Sequence, residues 1–217
     1  MRIYAVADIH ARPERMERIR ANIAAHKPDV LVISGDIGGF RRPAQVLAAI
    51  DALAVPVLAV RGNTDLKRVE TLFGSSDNIQ SLHLNRILIA GVGFVGISGT
   101  VPVPFRSRIA LREKQAIQRV RALLDPGSVL VVHPPPYGIL DQVMGRYHAG
   151  SRAVSRLVVQ KQPRLVLCGH IHEAFGCVRM GASWIVNCNM AGSRQGAVVD
   201  IGPAAGPEIK MLEAAGR

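Results

Sequence analysis

A chain of 217 residues, 48% of them apolar, is long enough for one well-buried core, and a single domain spanning residues 1–217 is expected. The longest apolar run, at 87–97, contains three glycines and is too short and too broken for the roughly 18 residues of a membrane-spanning helix. A formal charge of +11 favours anionic partners, phosphate-bearing small molecules or nucleic acid, although 22 arginines against 5 lysines also fit a compositional bias of the source genome.

The first residues, Met1-Arg2-Ile3-Tyr4-Ala5-Val6, run straight into Asp8 and His10 with no apolar signal core, so a cytoplasmic protein is expected. Residues 3–7 read as a short buried strand, and 12–25 as a helix with Met16, Ile19, Ile23 and Ala24 at helical spacing. The alternation returns as a strand at 30–34, a helix at 44–53, a strand at 57–60 and a short helix after Asp65, implying helical layers around a sheet. Residues 79–98 suit a hairpin or two sequential strands, and a segment rich in Pro and Gly follows at 99–105. A helix is expected over 107–124, its apolar stripe made by Ile109, Leu111, Ile117, Val120 and Leu124 and its basic residues solvated. Then come a strand at 129–132, a long loop at 134–150, a helix at 151–160 and a strand at 165–168. The segment 175–201 reads as several strands with turns at Met180-Gly181 and Ala191-Gly192-Ser193. Cys168, Cys177 and Cys188 lack C-x-x-C pairing and are expected to be buried free thiols.

The residues able to do chemistry share one kind of position. Asp8 and His10 follow the first expected strand, Asp36 the second, Asn63 and Asp65 the third, His133 the strand at 129–132, and His170 and His172 the strand at 165–168. Ligands of open α/β sheets bind beyond the carboxyl ends of the strands, so five separate loops can converge there. In extended backbone, residues i and i+2 point the same way, which would make Asp8 with His10, and His170 with His172, two-pronged clamps. Glycine precedes Asp36, Asn63 and His170, where a tight turn or a close backbone approach would need it. Asp8, His10, Asp36, Asn63, His133, His170 and His172 exceed the needs of one tetrahedral ion but suffice for two ions sharing a carboxylate. Imidazole mixed with oxygen donors favours a first-row transition metal: manganese first, with iron, zinc and nickel as alternatives. Two aspartates contribute −2 against +4 from two dications, and such a pair, about 3.5 to 4 Å apart, can activate a shared water as a bridging hydroxide nucleophile against a phosphate ester. D-x-H, G-D, G-N-x-D or a lone histidine is each commonplace; their arrival in this order, each after an expected strand, is not.

Asp8-Ile9-His10, Gly35-Asp36, Gly62-Asn63-Thr64-Asp65, His133 and Gly169-His170-Ile171-His172 resemble the calcineurin-like metallophosphoesterase superfamily. The resemblance implies an α/β fold, two mixed β-sheets in a sandwich flanked by helices, with a dinuclear site at one end. It further implies Asp8, His10 and His172 on the first metal, Asn63, His133 and His170 on the second, Asp36 bridging them, and Asp65 in support. His133-Pro134-Pro135-Pro136-Tyr137-Gly138 with Asp141, and Gly169 to Ala174 followed by Gly176, are similar to a branch of small predicted phosphoesterases within it.

One position departs from the pattern. Many members carry histidine directly after the motif asparagine, where it contacts phosphate or protonates the leaving group; here Thr64 stands there, and threonine has no pKa suited to general acid work near neutrality. A phosphodiesterase is therefore favoured over a phosphomonoesterase, with a nuclease or a non-catalytic metal-binding scaffold of the same fold as alternatives. His148, near His133 and Asp141 in the chain, is the candidate replacement acid and joins Asp36, Asn63 and Asp65 as a catalytic candidate. Arg61 and Arg146 are read as surface or ion-paired residues outside the site. The oligomeric state is not legible in the sequence.

Overall fold

Short runs of β-branched and other apolar residues form the central strands, and longer amphipathic stretches form the helices between them. The computed structural model describes residues 1–38, 43–103, 106–108, 113–202 and 206–214. In chain order its first half contains β1 (Arg2–Val6), α1 (Pro13–His26), β2 (Val30–Ser34), α2 (Pro43–Asp51), β3 (Val57–Val60), α3 (Arg68–Phe73), β4 (Ile79–Ser81), β5 (Arg86–Ile89) and β6 (Val92–Ile97). Next come β7 (Val101–Val103), β8 (Arg106–Arg108), α4 (Glu113–Leu123), β9 (Val129–Val132), β10 (Gln142–Val143), β11 (Tyr147–His148), α5 (Arg152–Lys161) and β12 (Leu165–Cys168). A single 3₁₀ turn (His172–Ala174) leads to β13 (Gly176–Met180), β14 (Ser183–Asn187), β15 (Arg194–Asp200) and β16 (Glu208–Glu213).

Two six-stranded mixed sheets result, ordered β16-β15-β1-β2-β3-β4 and β13-β14-β12-β9-β6-β5. β1 to β4 run parallel in the first, and β14, β12, β9 and β6 in the second, while β15, β16, β13 and β5 add antiparallel edges. Side-chain alternation then builds three apolar layers. Tyr4, Val6, Leu31, Ile33, Val57 and Ala59 face α1, α2 and α3, whereas Ile3, Ala5, Val30, Val32, Leu58 and Val60 face the other sheet. Phe94, Val129, Val131, Leu165 and Leu167 meet them from the second sheet, whose opposite face packs Leu130, Val132 and Val166 on α4 and α5. With both faces of the central strands buried, their sequences are unbroken apolar runs.

The helical layers thus enclose two sheets rather than the one that strand-helix alternation alone implies. The expected helix at 107–124 begins only at Glu113, because Ser107 and Arg108 are held in a ladder against Pro102 and Val101; Ile109 and Leu111 lie outside the described residues. The loop at 134–150 contains the small β10–β11 hairpin, in which Val143 pairs with Tyr147. Cys177 is exposed, contrary to expectation, since it sits on edge strand β13; Cys168 and Cys188 are buried, and all three thiols are free. Among the described residues no helix is long and apolar enough to cross a membrane.

The carboxyl ends of the two sheets are stitched together by main-chain hydrogen bonds. Ala7 N donates to Cys188 O (3.0 Å) and Met190 N to Ala7 O (3.0 Å), while Gly169 N to His133 O (2.9 Å) ties neighbouring strand ends within the second sheet. Leu58→Ala removes a fully buried side chain from the layer between the sheets and should cost about 2–5 kcal/mol. Urea denaturation should show a lower midpoint at unchanged slope; a loss below about 1 kcal/mol would contradict a tightly packed inter-sheet layer.

Candidate metal centre

The loops that leave β1, β2 and β12 turn sharply. Asp8 (φ 60°), His10 (φ 53°), Ala11 (φ 52°), Asp36 (φ 55°) and His170 (φ 70°) all occupy the left-handed region. The expected extended i, i+2 clamps are therefore replaced by kinked backbone. Such torsions cost about 1–2 kcal/mol per non-glycine residue and persist where the surroundings over-determine them. Here the first two loops zip together: Asp8 N donates to Gly35 O (3.0 Å), His10 N to Asp36 O (2.9 Å) and Ala11 N to Ile37 O (2.8 Å).

The close approach expected at the glycines is present. A Cβ on Gly62 would stand 2.1 Å from Asp36 Oδ1, and one on Gly169 2.5 Å from Asp8 Oδ2. A Cβ on Gly35, itself at φ +94°, would meet His133 Nδ1 at 2.6 Å.

All seven sequence-predicted metal ligands are brought together. Asp8 Oδ1 lies 3.2 Å from His172 Nε2 and 3.8 Å from His10 Nε2. Asp36 Oδ2 lies 3.7 Å from His10 Nε2 and 3.4 Å from His133 Nε2, between the two halves of the cluster. In the second half, Asn63 Oδ1 is 2.9 Å from both His133 Nε2 and His170 Nδ1. His170 and His172 thus serve different halves rather than one clamp.

The donor set fits cations. Asp8 is fully buried; its Oδ2 accepts the His170 N–H (3.0 Å), while Oδ1 has no aligned hydrogen-bond donor and faces the imidazoles of His172, His10 and His133. His133 Nδ1 donates to the Ser34 carbonyl (2.8 Å), which leaves Nε2 facing the oxygens of Asp36 and Asn63. Two groups, Asp8 with His10 and His172, and Asp8 with Asp36 and His133, offer donor atoms all within 4.8 Å of one another and could each hold an ion.

Asp65 is the brace between two of the loops. Its carboxylate, buried at 3% exposure, accepts the N–H groups of Ile37, Gly38 and Gly62 at 3.0 Å each. Thr64 N donates to Asp36 Oδ1 (2.9 Å), turning Oδ2 toward the histidines. Arg61 points to the Gly62 and Asp65 carbonyls and to Glu70 (3.8 Å), and Arg146 lies over the Tyr147 ring.

Protonation follows this geometry. Burial alone would raise the Asp36 carboxyl pKa, but the adjacent His133, the Thr64 N–H and His10 outweigh it and hold Asp36 well below the usual carboxylate range. Burial would lower the His133 pKa, yet Asp36, Asp8 and the bond to Ser34 raise it to about 9. Burial, together with the charge of His133, pushes His170 down to about 4. In the metal-free protein a proton on His133 Nε2 therefore lies where a cation would neutralise the carboxylates, and contact with Asp8 raises the His172 pKa as well.

His148 stands apart from these contacts, with its Nδ1 2.6 Å from Asp141 Oδ1 and its ring 5.4 Å from that of Tyr137. Asp141, 1% exposed, also accepts from Gly138 N and Gly150 N, so it fixes the loop that carries His148. β10 packs on the 3₁₀ turn that begins with His172. Sequence reasoning missed Arg15, Asn187, Asn189 and Arg194. Asn187 and Asn189 both donate to the Ile171 carbonyl and bond to each other, bracing the turn between His170 and His172. The available signal was the Asn-Cys-Asn spacing, two amides flanking Cys188 in a segment otherwise read as strand.

Residues 1–174 match the family described as calcineurin-like phosphoesterase. An uncharacterised protein of Methanocaldococcus jannaschii is 28% identical over 200 residues, covering 86% of this chain and 87% of its own length. The fold is shared with a dimetal phosphatase from Danio rerio (TM-score 0.62, 13% identity, 92% of each chain) and an archaeal phosphodiesterase (TM-score 0.57, 11% identity, 98% of this chain and 100% of the other). The chain belongs to the calcineurin-like phosphoesterase family, and its loops supply that family's metal-dependent chemistry with a cluster of candidate ligands.

An unfolded histidine titrates near 6.5, whereas His133 in the metal-free fold titrates at about 9. Its contribution to stability is therefore complete below about pH 6.5 and is lost as pH rises through about 9. Chelator-treated protein should melt at progressively lower temperature across that window, and His133→Gln should flatten the slope. A flat profile in the wild-type protein would contradict the shifted pKa.

Proposed function

We propose that this protein is a dinuclear metal-dependent phosphodiesterase. The position of Asp36 Oδ2 carries the proposal: it lies between His10 and His133, where one carboxylate oxygen can serve both halves of the donor cluster. Asp8, His10 and His172 would hold one ion, Asn63, His133 and His170 the other, with Asp36 shared. When bound, two such ions supply a water of lowered pKa and neutralise charge on the phosphoryl oxygens. Manganese is the favoured metal for this mix of imidazole and oxygen donors, with iron, zinc or nickel as alternatives.

The residues of the chain prepare the reaction. Asp65 keeps the Asp36 and Asn63 loops in register, the Ser34 carbonyl holds His133 in its ligating tautomer, and Asp8 Oδ2 anchors His170 through its backbone. Thr64 has its Oγ1 buried without a hydrogen-bond partner, and a threonine hydroxyl has no pKa suited to protonating an alkoxide. That favours diesters with good leaving groups, such as nucleotide derivatives. His148, oriented by Asp141, is the candidate general acid for poorer ones. Three free thiols suit a reducing, cytoplasmic setting.

With manganese added, kcat/KM for bis-p-nitrophenyl phosphate should exceed that for p-nitrophenyl phosphate, and Asp36→Asn should abolish both activities. Preference for the monoester would overturn the diester assignment. His148→Ala should lower turnover of a diester with an alkoxide leaving group by about 10²- to 10⁴-fold while sparing the nitrophenyl ester. An unchanged rate with the alkoxide diester would remove His148 from the mechanism.

The +11 charge favours a second reading, a nuclease. Each phosphate neutralised by a protein cation adds to the salt dependence of binding. Affinity for single- or double-stranded oligonucleotides that falls steeply between low and moderate salt would support it.

A further inference from the structure

Two arginines outside the seven-residue cluster reach the backbone of its members. Arg15, in the first turn of α1, is 8% exposed, and its Nη1 donates to the main-chain carbonyl of Asp8. Arg194, the first residue of β15, donates from Nη1 to the main-chain carbonyl of His172. Asp8 and His172 face each other within one candidate cation group, which His10 completes. Neither carbonyl belongs to a regular ladder. Asp8 lies at φ 60° beyond β1, and His172 opens a single 3₁₀ turn too short to satisfy its own carbonyls.

We propose that Arg15 and Arg194 are a pair of positioning residues that fix the Asp8, His10 and His172 group, one of the two cation positions, by clamping the peptide units from which Asp8 and His172 project. The proposal rests on the dinuclear reading given above. A charged donor makes a hydrogen bond roughly twice as strong as a neutral one, enough to hold a peptide plane in an irregular conformation. Positive charge itself opposes cation binding at short range, so what these side chains contribute is geometry. Both are well seated: Arg15 is buried under the Asp8 loop, and Arg194 lies 5.3 Å over the Phe175 ring with its Nε 3.9 Å from Glu213. Arg194 also joins the sheets, because β15 belongs to the first while His172 follows β12 of the second. The other group has separate support, through the Ser34 carbonyl on His133 and the Asp65 carboxylate on Gly62.

The test is metal binding, independent of turnover. Chelator-stripped wild-type protein, Arg15→Met and Arg194→Met would be titrated with manganese and with zinc against a chelating dye, with bound ions counted by native mass spectrometry. The expected result is two ions on the wild type. Each Met variant should keep one ion at wild-type affinity and bind the other about 10- to 100-fold more weakly. Arg15→Lys and Arg194→Lys, which retain a charged donor, should fall between and serve if a Met variant does not fold. Arg15→Met should add no further loss in a His10→Ala background but should add one in His133→Ala. Folded variants with both affinities unchanged, or both weakened alike, would overturn the positioning role. A wild-type protein that binds neither metal as a pair would overturn the dinuclear reading itself, and the proposal with it.

Discussion

The architecture is organised around two buried carboxylates that need a positive charge between them. Asp8 and Asp36 have almost no contact with solvent, and their oxygens converge with His133 within one small volume. Burying two like charges is costly unless a cation or proton compensates them. In the metal-free fold the compensation is a proton retained on His133; divalent ions bound by the surrounding imidazoles would supply it more fully.

The fold delivers these groups without long-range flexibility. Each candidate ligand sits within four residues of a buried strand end, and the two sheets are joined at that end by the Ala7, Cys188 and Met190 backbone. Left-handed kinks at Asp8, Asp36 and His170 then turn the chain inward, where three glycines without a Cβ let neighbouring loops touch. Five of the eleven non-glycine left-handed residues among the described residues, Asp8, His10, Ala11, Asp36 and His170, lie in these loops, where contacts with the surroundings hold them.

Much of this was legible in the sequence. The strands at 30–34, 57–60, 129–132 and 165–168 match because buried parallel strands are short continuous apolar runs, hard to mistake between loops. The seven candidate ligands were found because each follows such a strand. The local geometry was less legible: the alternation rule assumes extended backbone, whereas Asp8, His10 and His170 leave the strand in left-handed torsions imposed by contacts far away in sequence. For the same reason the helix expected from 107 begins late, since pairing with β7 competes for its first residues. Arg15 and Arg194 carried no signal, because a basic residue on an amphipathic helix or at a strand end reads as solvated until the loop beneath it is placed.

On the proposed reading, the residues that would hold metal and the candidate general acid lie on different parts of the chain. The candidate ligands follow strand ends, whereas His148 lies on a separate hairpin segment braced by Asp141. The most direct test of the central claim is a crystal structure of the manganese-loaded protein with anomalous scattering measured. Two peaks about 3.5 to 4 Å apart are predicted, one against Asp8, His10 and His172, the other against Asn63, His133 and His170, with Asp36 touching both. One peak, or peaks away from Asp36, would contradict the account.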